Sequence, residues 1–121
     1  MTITEAIRQL DGLLHNTYTQ QEKLKWLSWA DAMILEILED YEDAPEAFTD
    51  YGADTDPTTV LLLPEPYDEA YLRWMEAQIH YHNGEYQKYN NAISLFNNAL
   101  AGFQKHYRRT HMPKGERLQY F

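Results

Sequence analysis

The groups in this 121-residue chain whose types and spacing could hold a metal are His80 and His82, and the aspartates Asp50, Asp54 and Asp56. The two histidines lie two apart in a stretch of helical periodicity, so they point about 160° apart and do not share an ion. The three aspartates lack the spacing of a calcium-binding loop and its closing glutamate. Surface histidines and solvated loop acids account for all five. Only Ser28 and Ser94 could be serine nucleophiles, and neither sits in a nucleophile elbow. There is no cysteine, which removes thiolate chemistry, thiolate zinc sites and disulfides, and no glycine-rich phosphate loop. Carboxylate pairs exist, but a chain with 19 acidic residues makes such pairs by chance, so they do not indicate a hydrolase. The residues therefore describe a protein that is not an enzyme, with no cofactor, no metal and no small-molecule substrate.

Charge is more informative in its placement than in its total of −9. Between Trp26 and Leu72 there are thirteen acids and neither Lys nor Arg, whereas five of the ten basic residues (Lys105, Arg108, Arg109, Lys114 and Arg117) fall in the last seventeen positions. A solvated acidic face explains the first fact. Segregation of this kind also suits subunits that set the acidic part of one against the basic end of another. Nonspecific nucleic-acid binding is disfavoured by the sign. The N-terminal MTITEAIRQLDGLL carries acids and has no apolar block, unlike a signal peptide. The longest wholly apolar run, Val60 to Pro64, is far shorter than the roughly 20 residues of a membrane span. At 44% hydrophobic residues, the chain suffices for one domain, 1–121, around one core.

The elements that must carry these residues are helical. Thr2 and Glu5 have capping-box spacing, and Ile3, Ala6, Ile7, Leu10, Leu13 and Leu14 form a stripe, predicting a first helix over about 2–14. Thr19 and Glu22 open a second, running to about Asp40. Its stripe is Leu27, Ala30, Ile34, Ile37 and Leu38. Beside it lie Trp26, Trp29 and Met33, more apolar surface than one packing partner requires. The flank is either covered by the chain itself or makes a second contact.

Residues 41–66 lose helical periodicity and form a long irregular connection containing Pro45, Gly52, the turn-like DTDP at 54–57 and TTVLLLPEP. Val60, Leu61, Leu62 and Leu63 predict a short strand, pairing either in a β-hairpin with Ala47 to Tyr51 or with another chain; the internal hairpin is the simpler expectation. A third helix is expected from near Pro66, with Tyr71, Trp74, Met75, Gln78 and Ile79 inward. It ends at His82-Asn83-Gly84, where a periodicity of 3.5 on both flanks predicts the tip of an αα-hairpin rather than a β-hairpin. The fourth helix carries a seam of Tyr86, Tyr89, Ile93, Phe96, Leu100, Phe103 and Tyr107 and ends near His111, before Pro113. The units are thus helices one and two (1–40), the connection (41–66), the helix hairpin (67–111) and a C-terminal arm (112–121) bearing Leu118, Tyr120 and Phe121. The fold class is all-α, with about four helices and a C-terminal antiparallel αα-hairpin.

Asparagine is a mediocre helix former, yet the last helix repeats an aromatic residue followed by Asn-Asn: Tyr89-Asn90-Asn91 and Phe96-Asn97-Asn98. The pairs fall on one edge of the seam. They are either a polar flank or boundary amides that bond to a neighbouring surface without bringing charge to it.

The order of these pieces resembles a known family. Pro66-Tyr67, Tyr81-His82-Asn83-Gly84-Glu85-Tyr86, Tyr89-Asn90-Asn91, Phe96-Asn97 and Thr110-His111-Met112-Pro113, with a looser likeness in Lys25-Trp26-Leu27 and Asp54-Thr55-Asp56-Pro57, are similar to small prophage proteins of Gram-positive bacteria that resemble tailed-phage head-tail connector (adaptor) proteins. The likeness covers most of the chain. It implies a structural virion protein, a neck subunit assembled in the bacterial host cytoplasm, that forms a ring, commonly dodecameric, under the portal protein. On that ring the stopper and tail-completion proteins assemble. DNA would only pass through the channel, and no membrane would be involved. Ring contacts are heterologous and need two different complementary patches. The expected subunit and partner interface comprises Trp26, Trp29, Met33, Val60, Leu61, Leu62, Leu63, Asn90, Asn91, Asn97, Asn98, Arg108 and Arg109, with Glu42, Asp43 or the acids near Asp54 facing Arg108 and Arg109 of a neighbour. Part of the acidic stretch would line the DNA channel. The alternative is an acidic DNA-mimic inhibitor encoded by a mobile element, although the acids lie largely in an irregular loop rather than on one rigid surface.

Overall fold

Thr2 and Thr19 open the first two helices, and both do so through their side chains. In the computed structural model of the chain, which describes residues 1–41, 44–45 and 50–114, the Thr2 hydroxyl accepts from the Glu5 amide at 3.1 Å and α1 runs Ile3–Leu13. At Thr19 the box is reciprocal: its hydroxyl accepts from the Glu22 amide at 3.1 Å, and its own amide donates to the Glu22 carboxylate at 3.4 Å. This cap starts α2, Gln20–Leu38. Each bond satisfies one of the amides that a helix start leaves without a partner.

α3 spans Glu69–His82 and α4 spans Tyr86–Thr110. α3 begins three residues later than Pro66 suggests. Residues 64–71 instead run through successive tight turns, with Tyr67 N donating to Pro64 O at 2.9 Å and Ala70 N to Tyr67 O at 3.1 Å, and Asp68 makes no side-chain cap bond. α3 and α4 are joined by Asn83–Glu85, the αα-hairpin tip that the periodicity predicts. Gly84 sits there at φ 76°, a left-handed conformation that other residues adopt only with strain.

The four helices close on one apolar core that includes Ile3, Leu10, Leu27, Ile34, Tyr71, Met75, Ile79, Phe96 and Phe103. Full burial of each large apolar side chain contributes about 1.5–3 kcal/mol. The fold is therefore all-α with a C-terminal helix pair. The α4 seam is buried unevenly: Phe96 and Phe103 are covered, Ile93, Leu100 and Tyr107 half-covered, and Tyr86 is exposed. With 25 residues against 14, α4 is about 16 Å longer than α3. Its C-terminal part outruns α3 and packs on other pieces, Phe103 against Tyr67 (ring centroids 5.7 Å apart) and Tyr107 against Tyr41 (4.8 Å).

The expected β-hairpin is not how Val60 is paired. Ala47–Thr49 lie outside the described residues, and among those described Val60 forms an isolated antiparallel bridge with Thr2. The ladder is continued by Ile3 N donating to Thr59 O at 3.0 Å and Leu61 N to Met1 O at 2.9 Å. The partner of the apolar run is thus the start of α1, whose first amides have no intrahelical acceptor and take carbonyls of the connection instead.

Candidate interaction surface

The surface is set by where α2 sends its broad apolar face. Trp26, Trp29 and Met33 were expected to form one flank, and the structure divides them. Trp26 is not an interface residue: it is 2% exposed, its carbonyl accepts from Trp74 Nε1 at 2.8 Å, and its ring stacks on His82 (6.0 Å) and meets Tyr18 edge-on (5.5 Å). Met33 packs partly buried against the core. Trp29 is the outward member, 45% exposed, with Lys25 Nζ 5.3 Å from its ring centroid in a cation–π contact. Three residues advance a helix by about 300°, so Trp26 and Trp29 stand about 60° apart, enough to place one inside and one outside.

Beside Trp29, α2 and residues 50–53 enclose an open cleft of about 680 Å³ lined by Thr19, Glu22, Lys25, Ser28, Trp29 and Tyr51 among others. Its floor is fixed by Ser28, whose buried hydroxyl accepts from the Tyr51 amide at 2.6 Å.

The apolar run divides in the same way. Leu61 and Leu63 are 3% and 1% exposed and belong to the chain's own core, which removes them from the expected interface. Leu62 is half-buried and Val60 is 66% exposed. Asn90, Asn91, Asn97 and Asn98 are all exposed and their side-chain amides hydrogen-bond to no described residue, so within the chain they are a solvated edge of α4. Arg108 and Arg109 are exposed in the last turn of α4 and form no ion pair with a described residue. Glu42 and Asp43 lie outside the described residues. The basic end of α4 nevertheless lies next to the acidic end of α2: Lys114 N donates to Asp40 O at 2.8 Å, and Tyr41 bridges to Pro113. Opposite charges are thus already neighbours within one chain.

Three buried polar groups escaped the sequence reading. Asp31 is fully buried, and its carboxylate accepts from Tyr51 Oη, from Tyr71 Oη and from the Leu62 amide (3.3 Å); Tyr71 Oη in turn accepts from the Leu63 amide at 2.8 Å. Burial raises the Asp31 pKa despite these donors, and burial beside the carboxylate raises the pKa of both tyrosines. Lys23 is buried with its ammonium 2.7 Å from Asp11. Burial works to raise the Asp11 pKa, but bonds from Lys23 and Asn16 outweigh it and leave it lowered. His80, expected on the surface, is 6% exposed, with Glu85 3.3 Å from Nδ1 and Glu76 3.8 Å from Nε2. A signal existed for two of them: Lys23, Leu27, Asp31, Ile34 and Leu38 recur at intervals of three and four, so both charges stand on the inward stripe of α2.

Among the described residues no group of three or more His, Cys, Asp or Glu could hold a metal ion, and no helix is long and apolar enough to cross a membrane. The chain matches no protein-family model, no curated protein and no solved structure.

Proposed function

We propose that this chain is a structural subunit of a tailed-phage or prophage neck, a head-tail connector that adds in many copies to the portal ring and carries the stopper and tail-completion proteins. The observation that carries the reading is the pair Arg108 and Arg109, exposed at the end of α4, on a chain whose exposed Glu36, Glu39, Asp40, Asp50, Asp54 and Asp56 belong to a stretch of sequence without Lys or Arg. A heterologous ring needs two unlike complementary patches on each subunit, and opposite charges segregated in this way could supply them. Exposed Trp29, Val60, Leu95 and Met112 add apolar surface at several places around the chain, in keeping with contacts to more than one neighbour. Acids of the same region that face the channel would let the phosphate backbone slide instead of adhering.

Native mass spectrometry of the chain mixed with a portal ring from the same genome tests the reading. Saturable addition of many copies is expected, and Arg108→Glu combined with Arg109→Glu is expected to abolish it or reduce it to isolated copies. A chain that ignores the portal overturns the proposal, and binding to a DNA-processing enzyme instead would identify an acidic inhibitor.

A further inference from the structure

The buried carboxylate of Asp31 has no counter-ion among the described residues. The groups facing it are Tyr51 and the Leu62 amide of the connection and Tyr71 of α3; the charged pairs lie elsewhere, the Met1 ammonium with Asp68 at 3.5 Å, Lys23 with Asp11, Arg73 with Glu69 and Glu76, His80 beside Glu76 and Glu85, and Lys88 with Glu85. Its three donors come from the middle of the irregular connection, from near its far end and from α3. Tyr51 stands where the connection meets α2, Leu62 stands eleven residues on, and Tyr71 also holds the neighbouring Leu63 amide. One carboxylate therefore fastens both ends of residues 51–63. Between those ends the attachments are bonds to the first residues of the chain, by the backbone at Pro57, Thr59 and Leu61 and by the Thr4 hydroxyl on the Pro57 carbonyl, together with the buried Leu61 side chain, which opening exposes.

We propose that Asp31 clamps residues 51–63 onto α2 and α3, and that this segment opens as one unit, ahead of the helices, more often as the pH rises. The direction follows from linkage. With the segment closed, Asp31, Tyr51 and Tyr71 all hold their protons more tightly than they do in water; with the segment open, they titrate at ordinary values of 3.8 for Asp and 10.0 for Tyr. The closed form thus carries more protons than the open form in two windows. The first begins near pH 3.8 and ends at the raised value of Asp31. The second begins near pH 10, where only the open segment loses its phenolic protons. Between them lies a plateau. Opening increases with pH in both windows, by about tenfold per pH unit for each proton released. Asp56, also on the segment, does not contribute: its pKa is lowered by bonds from Thr58 two residues away, which opening leaves intact.

Hydrogen exchange of the Leu62 and Leu63 amides, followed by NMR from pH 4 to 9 and divided by the intrinsic rate at each pH, tests this. The two amides should share one opening equilibrium, larger than that of Ile79 and Phe96 in the helix pair, rising from pH 4 to a plateau. In Asp31→Asn the rise should vanish and opening should be the same at all pH values. If that variant does not fold, Tyr51→Phe serves, because removal of one donor raises the closed-state pKa of Asp31 further and carries the upper end of the rise to higher pH while its onset stays near pH 3.8. The proposal is overturned if the wild-type profile is flat, if Asp31→Asn keeps the rise, if Tyr51→Phe leaves the upper end of the rise where it is in wild type, or if Leu62 and Leu63 exchange only together with the core helices.

Discussion

Two glycines of the helix pair should respond to the same substitution with opposite signs. At Gly84 a Cβ would meet nothing within 4 Å, so Gly84→Ala causes no clash and isolates the backbone cost. That cost arises from φ 76°, where a Cβ crowds the following carbonyl by about 1–2 kcal/mol, partly offset by the smaller entropy of alanine in the unfolded chain. A net loss of about 1 kcal/mol follows. At Gly102, inside α4, the added Cβ would lie 3.7 Å from the Tyr67 ring, an ordinary van der Waals distance, and the residue is already helical. Gly102→Ala should therefore gain about 1 kcal/mol from helix propensity. For a chain of 121 residues, 1 kcal/mol moves the melting temperature by about 3–5 °C, so the two variants should melt on either side of the wild type and about 6–10 °C apart. Thermal and urea unfolding followed by circular dichroism at 222 nm measures both. The Asn83–Glu85 turn is refuted if Gly84→Ala is neutral or stabilising, and the close but unstrained packing of Tyr67 on α4 is refuted if Gly102→Ala destabilises.

Thr19→Ala removes one half of the capping box and should cost about 1 kcal/mol in the same unfolding assay. Trp26→Ala should cost about 3–5 kcal/mol, whereas Trp29→Ala, which loses little beyond the Lys25 contact, should stay within about 1 kcal/mol of wild type by urea unfolding. Tyr71→Phe takes a donor from Asp31 and an acceptor from the Leu63 amide in a fully buried place, and should cost about 3 kcal/mol or more; Tyr51→Phe takes only the donor, at a half-buried place, and should cost about half as much. Asp11 has a lowered pKa in the folded chain, so its contribution is present above pH 3.8 and is lost as the pH falls through the folded value. Asp11→Asn should make stability less dependent on pH below 4 than in wild type, as read from melting temperatures at pH 2.5–5.

The helices were legible because their signals are local. Thr2 and Thr19 are followed three residues later by Glu, and the structure makes those bonds; Asn83-Gly84 between two periodic stretches predicts the tip that Gly84 forms. The pairing of Val60 was not legible, because the acceptors it competes for are set by where the first turn of α1 comes to lie, fifty-eight residues away from Val60 in sequence at Thr2. The division of Trp26 from Trp29 was hidden for a similar reason. Both sit beside the α2 stripe, and only the positions of Trp74 and His82 on α3 determine which of the two is covered. Charge placement was legible as a pattern, but the sequence does not disclose that the acidic end of α2 and the basic end of α4 are neighbours within the chain.

The buried polar groups share one property: each joins elements that the apolar stripes alone leave free to slide. Lys23 ties α2 to Asp11 of α1, Trp74 of α3 donates to the α2 backbone at Trp26, His80 lies between Glu76 of its own helix and Glu85 before α4, and Asp31 gathers the connection and α3 onto α2. Leucine against leucine tolerates a shift of one turn, whereas a carboxylate holding two hydroxyls and an amide does not, because a shifted register leaves each of them buried without a partner. Among the described residues no buried side-chain nitrogen or oxygen lacks a partner. Apolar replacements of equal shape are often as stable or more so, so what such groups can add is the specification of one register among the alternatives that the apolar surface permits.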